Sequence, residues 1–392
     1  MSNAMQQPLP AALVYYLAAF PIAFGIVGKS FIFADLFIIF LIVSRFVNLL
    51  FKKSIGLLDV DSLLVAFCGA ALLGRNNLVH PGAFAFEFTS VVFLYVGSRL
   101  IADEIAEQSR FTRFLNILAR MFHLFLYFSV LIVFLHMIGV PELTGFFYSV
   151  HDNYKGFFNF TNQLAIFLIC LAPLAMIDNS ESYWRRFISY GALFLVMSST
   201  AARSGFWIAI GQVCLIEMFY PQKRSRTQIL LSLATIACIV ALIISVMATD
   251  EGMQRSLGSL EYAPLSFDKP RVQNFREAFN SSADWVRGYG LGCFDQVHVH
   301  EVHNTPFSLL VETGLAGFVF SGLLFLLTAI RFFRAETPEE MPLLKKALYI
   351  SWAGIMATGM FHYLLRNRSC WLVFALTLVL IYYRRPGERT SD

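Results

Sequence analysis

The sequence predicts an all-α, polytopic integral membrane protein of about twelve transmembrane helices, and three observations carry that prediction. Of its 392 residues, 57% are hydrophobic and only 14% are charged, with 41 Phe and a mean hydropathy of +0.63. Apolar runs recur along nearly the whole chain and match the roughly 20 residues needed to cross a bilayer core. Lys and Arg fall between those runs, biased to alternate loops. A soluble domain has no use for so much apolar surface. The formal charge of +4 is not a nucleic-acid footprint, because the cations are scattered rather than gathered into a patch.

Taken in order, Met1–Ala4 ahead of Met5 reads as an expression-tag remnant. Nine spans follow within 5–248, at 11–28, 31–51, 57–74, 83–101, 114–138, 161–178, 186–201, 204–220 and 228–248. A polar loop occupies 249–304, and three more spans lie within 305–384, at 305–330, 343–364 and 370–384. Residues 385–392 form a basic tail. An even number of spans puts both termini on one side. With that side cytoplasmic, the inner segments hold 18 Lys and Arg. The short outer loops hold 6: Lys29, Arg75, Lys155, Arg203, Arg366 and Arg368. The positive-inside rule supports this orientation. The 56-residue segment 249–304 then faces outward, into the periplasm of a Gram-negative cell. Among the six cysteines, Cys68, Cys170, Cys214 and Cys238 read as small core residues, and Cys293 and Cys370 as free thiols.

The outer segments carry the unusual residues. Lys155 to Ala165 places amides, Asn162 among them, at the mouth of a helix. Between spans seven and eight there is almost no loop, so Arg203 is held at membrane depth, where an ionisable residue is costly and a functional candidate by default. Arg75, beside Asn76, Asn77 and His80, and Arg366 with Arg368 are further outward cations that also suit ordinary interface anchors. In the long loop, Val272, Phe275 and Phe279 suggest a short interfacial helix, with Arg271 at its start and Arg276 on its polar side. Gly288, Gly290 and Gly292 suit a tight turn or a close backbone approach.

That loop ends in His303-Asn304-Thr305-Pro306, where an apolar helix begins. Thr305 reads as its N-cap and Pro306 as its first helical residue. A histidine just outside a helix N-terminus is biased toward neutral imidazole and can accept a proton, although a plain capping-loop histidine fits the same pattern. Glu312, about two turns into that helix, reads as a partner for an arginine or as a satisfied buried carboxyl. Several arginines, one histidine and dispersed carboxylates suit an anionic substrate whose charge is met by guanidinium forks rather than a metal. No metal site and no cofactor are expected.

The run His303-Asn304, nine residues, Gly314, two residues, Gly317 resembles the histidine motif of the O-antigen ligase and O-antigen polymerase superfamily. Three further stretches resemble that superfamily in order: Gly156 to Ala165, Ser199 to Trp207, and Arg271 to Ala278 followed by Gly288–Gly292. The resemblance implies a twelve-helix glycosyltransferase of the GT-C type in the bacterial inner membrane, at work in lipopolysaccharide biosynthesis. It implies an inverting, metal-independent transfer of glycan from undecaprenyl pyrophosphate to lipid A core. It also implies that His303 acts at the acceptor hydroxyl, and that Arg203 and Arg271, with Arg276 as its rival, hold the pyrophosphate. Arg75, Asn162, Asn304, Glu312 and Arg366 are expected in support. A polymerase of the same superfamily, for O-antigen or exopolysaccharide, is the alternative, and a lipid-linked glycan transporter a more distant one. Expected partners are the lipid-linked donor, its acceptor and membrane lipid, with no nucleic acid.

Overall fold

The computed structural model describes residues 8–26, 29–51, 59–74, 76–140, 144–149, 153–176, 183–200, 202–219, 226–247, 285–297, 304–335 and 343–382. Over those residues the chain is helical, with twelve α-helices of nine residues or more and one two-stranded hairpin. The first half holds α1 (Ala11–Ala19), α2 (Ala34–Phe51), α3 (Asp59–Leu72), α4 (Pro81–Glu104) and α5 (Gln108–Met137). The second half holds α6 (Thr161–Met176), α7 (Tyr183–Ser199), α8 (Arg203–Phe219), α9 (Arg226–Met247), α10 (Thr305–Arg334), α11 (Leu344–Gly359) and α12 (Arg368–Ile381). Three of them, α4, α5 and α10, are long and apolar enough to cross a membrane. About 61 to 67% of their apolar windows is not buried within the protein, and side chains such as Leu124, Leu131 and Phe134 are exposed. Such an apolar exterior suits lipid rather than water.

The span expected at 11–28 is corrected. Helix α1 stops at Ala19, and strands β1 (Ala23–Ile26) and β2 (Lys29–Ile32) pair antiparallel, Ala23 opposite Ile32 and Ile26 opposite Lys29. Pro21 gives the reason. Phe20 itself keeps helical dihedrals, but the Pro21 ring has no N–H to bond the Leu17 carbonyl and crowds the preceding turn, so the helix cannot run on. The hairpin is anchored by the Ala23 amide on the Phe157 carbonyl at 2.9 Å.

The interior is built on α6 and α12. Residues 164–173 of α6 and 369–380 of α12 are buried without a break, as expected of helices apolar on every face. Helix α11 packs on α6 and α8, and the Gln212 amide of α8 donates to the Ile169 carbonyl of α6 at 3.0 Å and the Ile350 carbonyl of α11 at 3.1 Å. Gly354 of α11 leaves the space that the Gln212 side chain occupies. At the other end of the bundle, Arg186 of α7 meets Glu217 of α8 at 2.7 Å, and the Tyr190 hydroxyl donates to the same carboxylate at 2.8 Å. Arg186, counted among loop cations in the orientation argument, is thus a buried ion-pair residue.

The thiols behave as small buried groups in part. Cys170 and Cys370 lie 3.8 Å apart between α6 and α12, and Cys293 is buried against the carbonyls of Asn76 and His80. Both Cys293 and Cys370 are free thiols, whereas Cys238, expected in the core, is exposed.

Candidate functional site

Helix α10 is the centre of the site, and it is broken. Gly314 takes φ 68° and ψ −176°, so the first nine residues, Thr305 to Thr313, form one helical piece and the rest another. A break leaves carbonyls and amides without their intrahelical partners, and inside an apolar bundle each must be satisfied by protein. The glycine turn at 285–292 does this. The Tyr289 amide donates to Val311 O at 2.9 Å, Gly290 to Glu312 O at 2.8 Å, and Leu315 donates back to Trp285 O at 2.8 Å.

The glycines are required by close approach. A Cβ on Gly288 would overlap the Gly314 amide, and one on Gly314 would overlap the Val286 carbonyl. Gly317 leaves room for the Thr313 side chain. On its other face the turn meets Asn77 and Glu87: a Cβ on Gly290 would overlap Asn77 Oδ1, and one on Gly292 would overlap Cγ of Glu87. Asn77 is itself fixed by donating to Ala71 O and Leu72 O, and the Asn76 amide donates to Tyr289 O at 2.9 Å.

The start of α10 corrects the capping assignment by one residue. Asn304, not Thr305, is the N-cap. Its Oδ1 accepts from the Phe307 amide at 2.9 Å, which places Pro306 second in the helix. Asparagine satisfies an orphan amide at least as well as threonine. Thr305 is freed for another task. Its hydroxyl donates to His362 O at 2.6 Å and accepts from the Leu364 amide at 3.0 Å, while Asn304 Nδ2 donates to Met360 O at 3.1 Å. Three bonds therefore hold residues 304 and 305 to the turn between α11 and α12.

That turn also carries the arginines. Arg366 Nε meets Glu87 Oε1 at 2.7 Å and its guanidinium lies over the Tyr363 ring, while Arg368 forks onto Asp35 with Nη2–Oδ2 at 2.8 Å and Nε–Oδ2 at 3.2 Å. Both suit interface anchors by sequence, and both are members of ion pairs. Glu312 is buried and its Oε2 accepts from the Gly292 amide at 3.0 Å.

The remaining predicted residues fall into two groups. Asn162 is exposed in the first turn of α6, and Arg203 begins α8. The Gln212 bonds set their depth. Arg203 lies nine residues before Gln212, and Gly359 nine residues after Ile350 on antiparallel α11, so each stands about 13.5 Å along its helix from that junction. Asn162 lies about 10.5 Å from Ile169 by the same rise. Gly359 in turn sits against Thr305. Arg75, Arg271, Arg276 and His303, with the proposed interfacial helix over 272–279, lie outside the described residues.

Two pairs of sequence stretches thus become two packed units. The Tyr154 amide donates to Ser199 O at 2.8 Å, and Gly205 packs on Ala165, joining the stretch around 156–165 to the one around 199–207. Burial pushes the Tyr154 phenol up to about 12. The second unit is the glycine turn against the break in α10. Helix α11 packs on the first unit and, through Gly359, on Thr305 at the start of α10.

Sequence reasoning missed Glu87 and Asp35. Glu87 stands alone in Phe84-Ala85-Phe86-Glu87-Phe88, and a carboxylate inside an apolar span was the available signal. No family model matches the chain, and no curated protein sequence is similar to it.

Proposed function

We propose that the protein is an O-antigen ligase-type glycosyltransferase of the bacterial inner membrane, with twelve spans in a GT-C architecture and a site on the periplasmic face. In this reaction His303 takes the proton of an acceptor hydroxyl, and the oxygen attacks the anomeric carbon of the lipid-linked glycan. The bond from that carbon to the phosphate oxygen breaks, undecaprenyl pyrophosphate leaves with the electron pair, and the configuration inverts. Arg203 and Arg271, with Arg276 as the rival of Arg271, meet the charge that develops on the pyrophosphate, without a metal.

The observation that carries the reading is the convergence of the ordered sequence stretches. The backbone of Arg203 lies about 13.5 Å along α8 from the Gln212 junction, level with the end of α11 that leads into the turn to which Asn304, the residue after His303, is bonded. The motif glycines also have a physical reason, since Gly288 and Gly314 allow one backbone to approach the other. The test uses purified protein, an undecaprenyl pyrophosphate-linked glycan, and either lipid A core or a second lipid-linked unit as sole acceptor. Wild type is expected to glycosylate lipid A core, and His303→Ala, at equal expression, to lose transfer by a factor of at least about 100. Extension of the lipid-linked unit alone makes the protein a polymerase, which shares the donor chemistry.

One observation favours a second reading, transport of a lipid-linked glycan. Discontinuous helices mark many transporter sites, and α10 is discontinuous about 13.5 Å from its start. In transporters the broken backbone lines a cavity, however, and here the groups freed at Val311, Glu312 and Leu315 are taken up by the protein's own turn. Movement of labelled carrier lipid across vesicles with no new glycosidic bond would establish transport in place of transfer.

A further inference from the structure

The contacts around α10 close on themselves. Residues 304 and 305 are bonded to the turn at 360–364, that turn leads to Arg366, and Arg366 is paired with Glu87 of α4. Glu87 lies against Gly292, and the Gly292 amide is bonded to Glu312, two turns into α10 again. The ring runs through residues 87, 292, 304–312 and 360–366, and Glu87–Arg366 is its ionic link among the described residues. Glu87 is 3% exposed at its side chain and Arg366 30%, so the link is mostly shielded from water and weakly screened.

We infer that Glu87 is a positioning residue for the transfer reaction proposed above, acting through Arg366 and Gly292 to fix the first turns of α10 and hence the residue that precedes Asn304. The inference rests on that reading of function. Three features argue for positioning over simple stabilisation. The ring encloses the helix start next to the proposed base, at the end of α12 rather than within its buried stretch 369–380. Its members grip a broken helix piece of only nine residues, which has little stability of its own. The glycine at its centre cannot carry a Cβ, so the approach of Glu87 to the turn is sterically committed.

The experiment compares wild type with Glu87→Gln, Arg366→Gln and the double variant, each purified in lipid nanodiscs. Transfer kinetics are measured with the lipid-linked donor, and hydrogen–deuterium exchange on the peptides covering 288–292 and 305–313. Each single variant is expected to lower kcat at least about tenfold, with donor KM within about twofold, since small misplacements of reacting groups cost that much or more. Exchange over both peptides is expected to rise, and the double variant to be no worse than the poorer single. Glu87→Asp, which keeps the charge, is expected to recover part of kcat. Unchanged kcat in both single variants overturns the inference, as does a fall in kcat with unchanged exchange. Should Glu87→Gln fail to fold, Arg366→Gln, at the more exposed partner, carries the same readouts. A wild-type protein that transfers no glycan overturns the functional reading and leaves the ring to be judged by exchange: faster exchange upholds it, and unchanged exchange overturns it.

Discussion

Gly314 holds a backbone geometry that is essentially restricted to glycine, and a Cβ there would overlap the Val286 carbonyl. Gly314→Ala is therefore expected to cost at least about 1–3 kcal/mol from the backbone alone, read as a lower melting temperature of the solubilised protein. A melt identical to wild type would count against the break. The spacing of Gly314 and Gly317 behind His303 was plain in the sequence, but the reason for it was not. For Gly314 that reason is the approach of the Val286 backbone 28 residues upstream, which no local pattern encodes, and for Gly317 it is the Thr313 side chain one turn back. Glu217 makes the same point through charge. Its side chain is 0% exposed and its partner Arg186 2%, so Glu217→Ala takes the paired carboxylate from a buried guanidinium, at a cost of about 3–5 kcal/mol. Replacing both, Arg186→Met with Glu217→Leu, is expected to restore most of that stability, because well-packed apolar residues often substitute for a buried pair. A double variant as unstable as Glu217→Ala would show that the loss is not one of unpaired charge. In sequence Arg186 looked like a loop cation beside Arg185, and only the packing of α7 on α8 gives it a carboxylate.

Elements were legible where apolar length was the signal, and less so where a single residue sets an end. The expected spans at 114–138 and 305–330 fall within α5 and α10 or end a residue beyond them, because long apolar runs have few alternatives. The end of α1 was misread through Pro21, where apolar composition continues but the helical hydrogen-bond ladder cannot. The start of α10 was misread by one residue, since Asn304 and Thr305 both suit an N-cap and only the tertiary partners of Thr305 decide between them. Asn304 now has two roles, accepting from Phe307 and donating to Met360. Asn304→Ala is expected to destabilise the helix start by about 1–2 kcal/mol. Asn304→Asp, which keeps the cap acceptor and loses the amide donor, is expected to lose less. Equal losses in the two variants, compared by thermal unfolding, would assign the whole effect to the Met360 bond.

At the scale of the molecule, the apolar exterior and the three long helices agree with a membrane setting, while the path of the chain through the bilayer is part of the proposal. Parity is the sensitive quantity. Helix α1 rises only about 13.5 Å over nine residues, less than half of a bilayer core of about 30 Å. Twelve crossings leave both termini in the cytoplasm, in line with the 18 to 6 distribution of Lys and Arg. Reporter fusions read this directly. A phosphatase that is active only outside the cytoplasm is expected to be active within 249–284, and inactive after residue 222 and at both ends of the chain. Activity at the N-terminus alone reduces the number of crossings to eleven and leaves the site on the outer face. Activity at residue 222 inverts the second half of the bundle. It would put the end of α11 that holds Thr305 in the cytoplasm, where the proposed periplasmic acceptor cannot reach it.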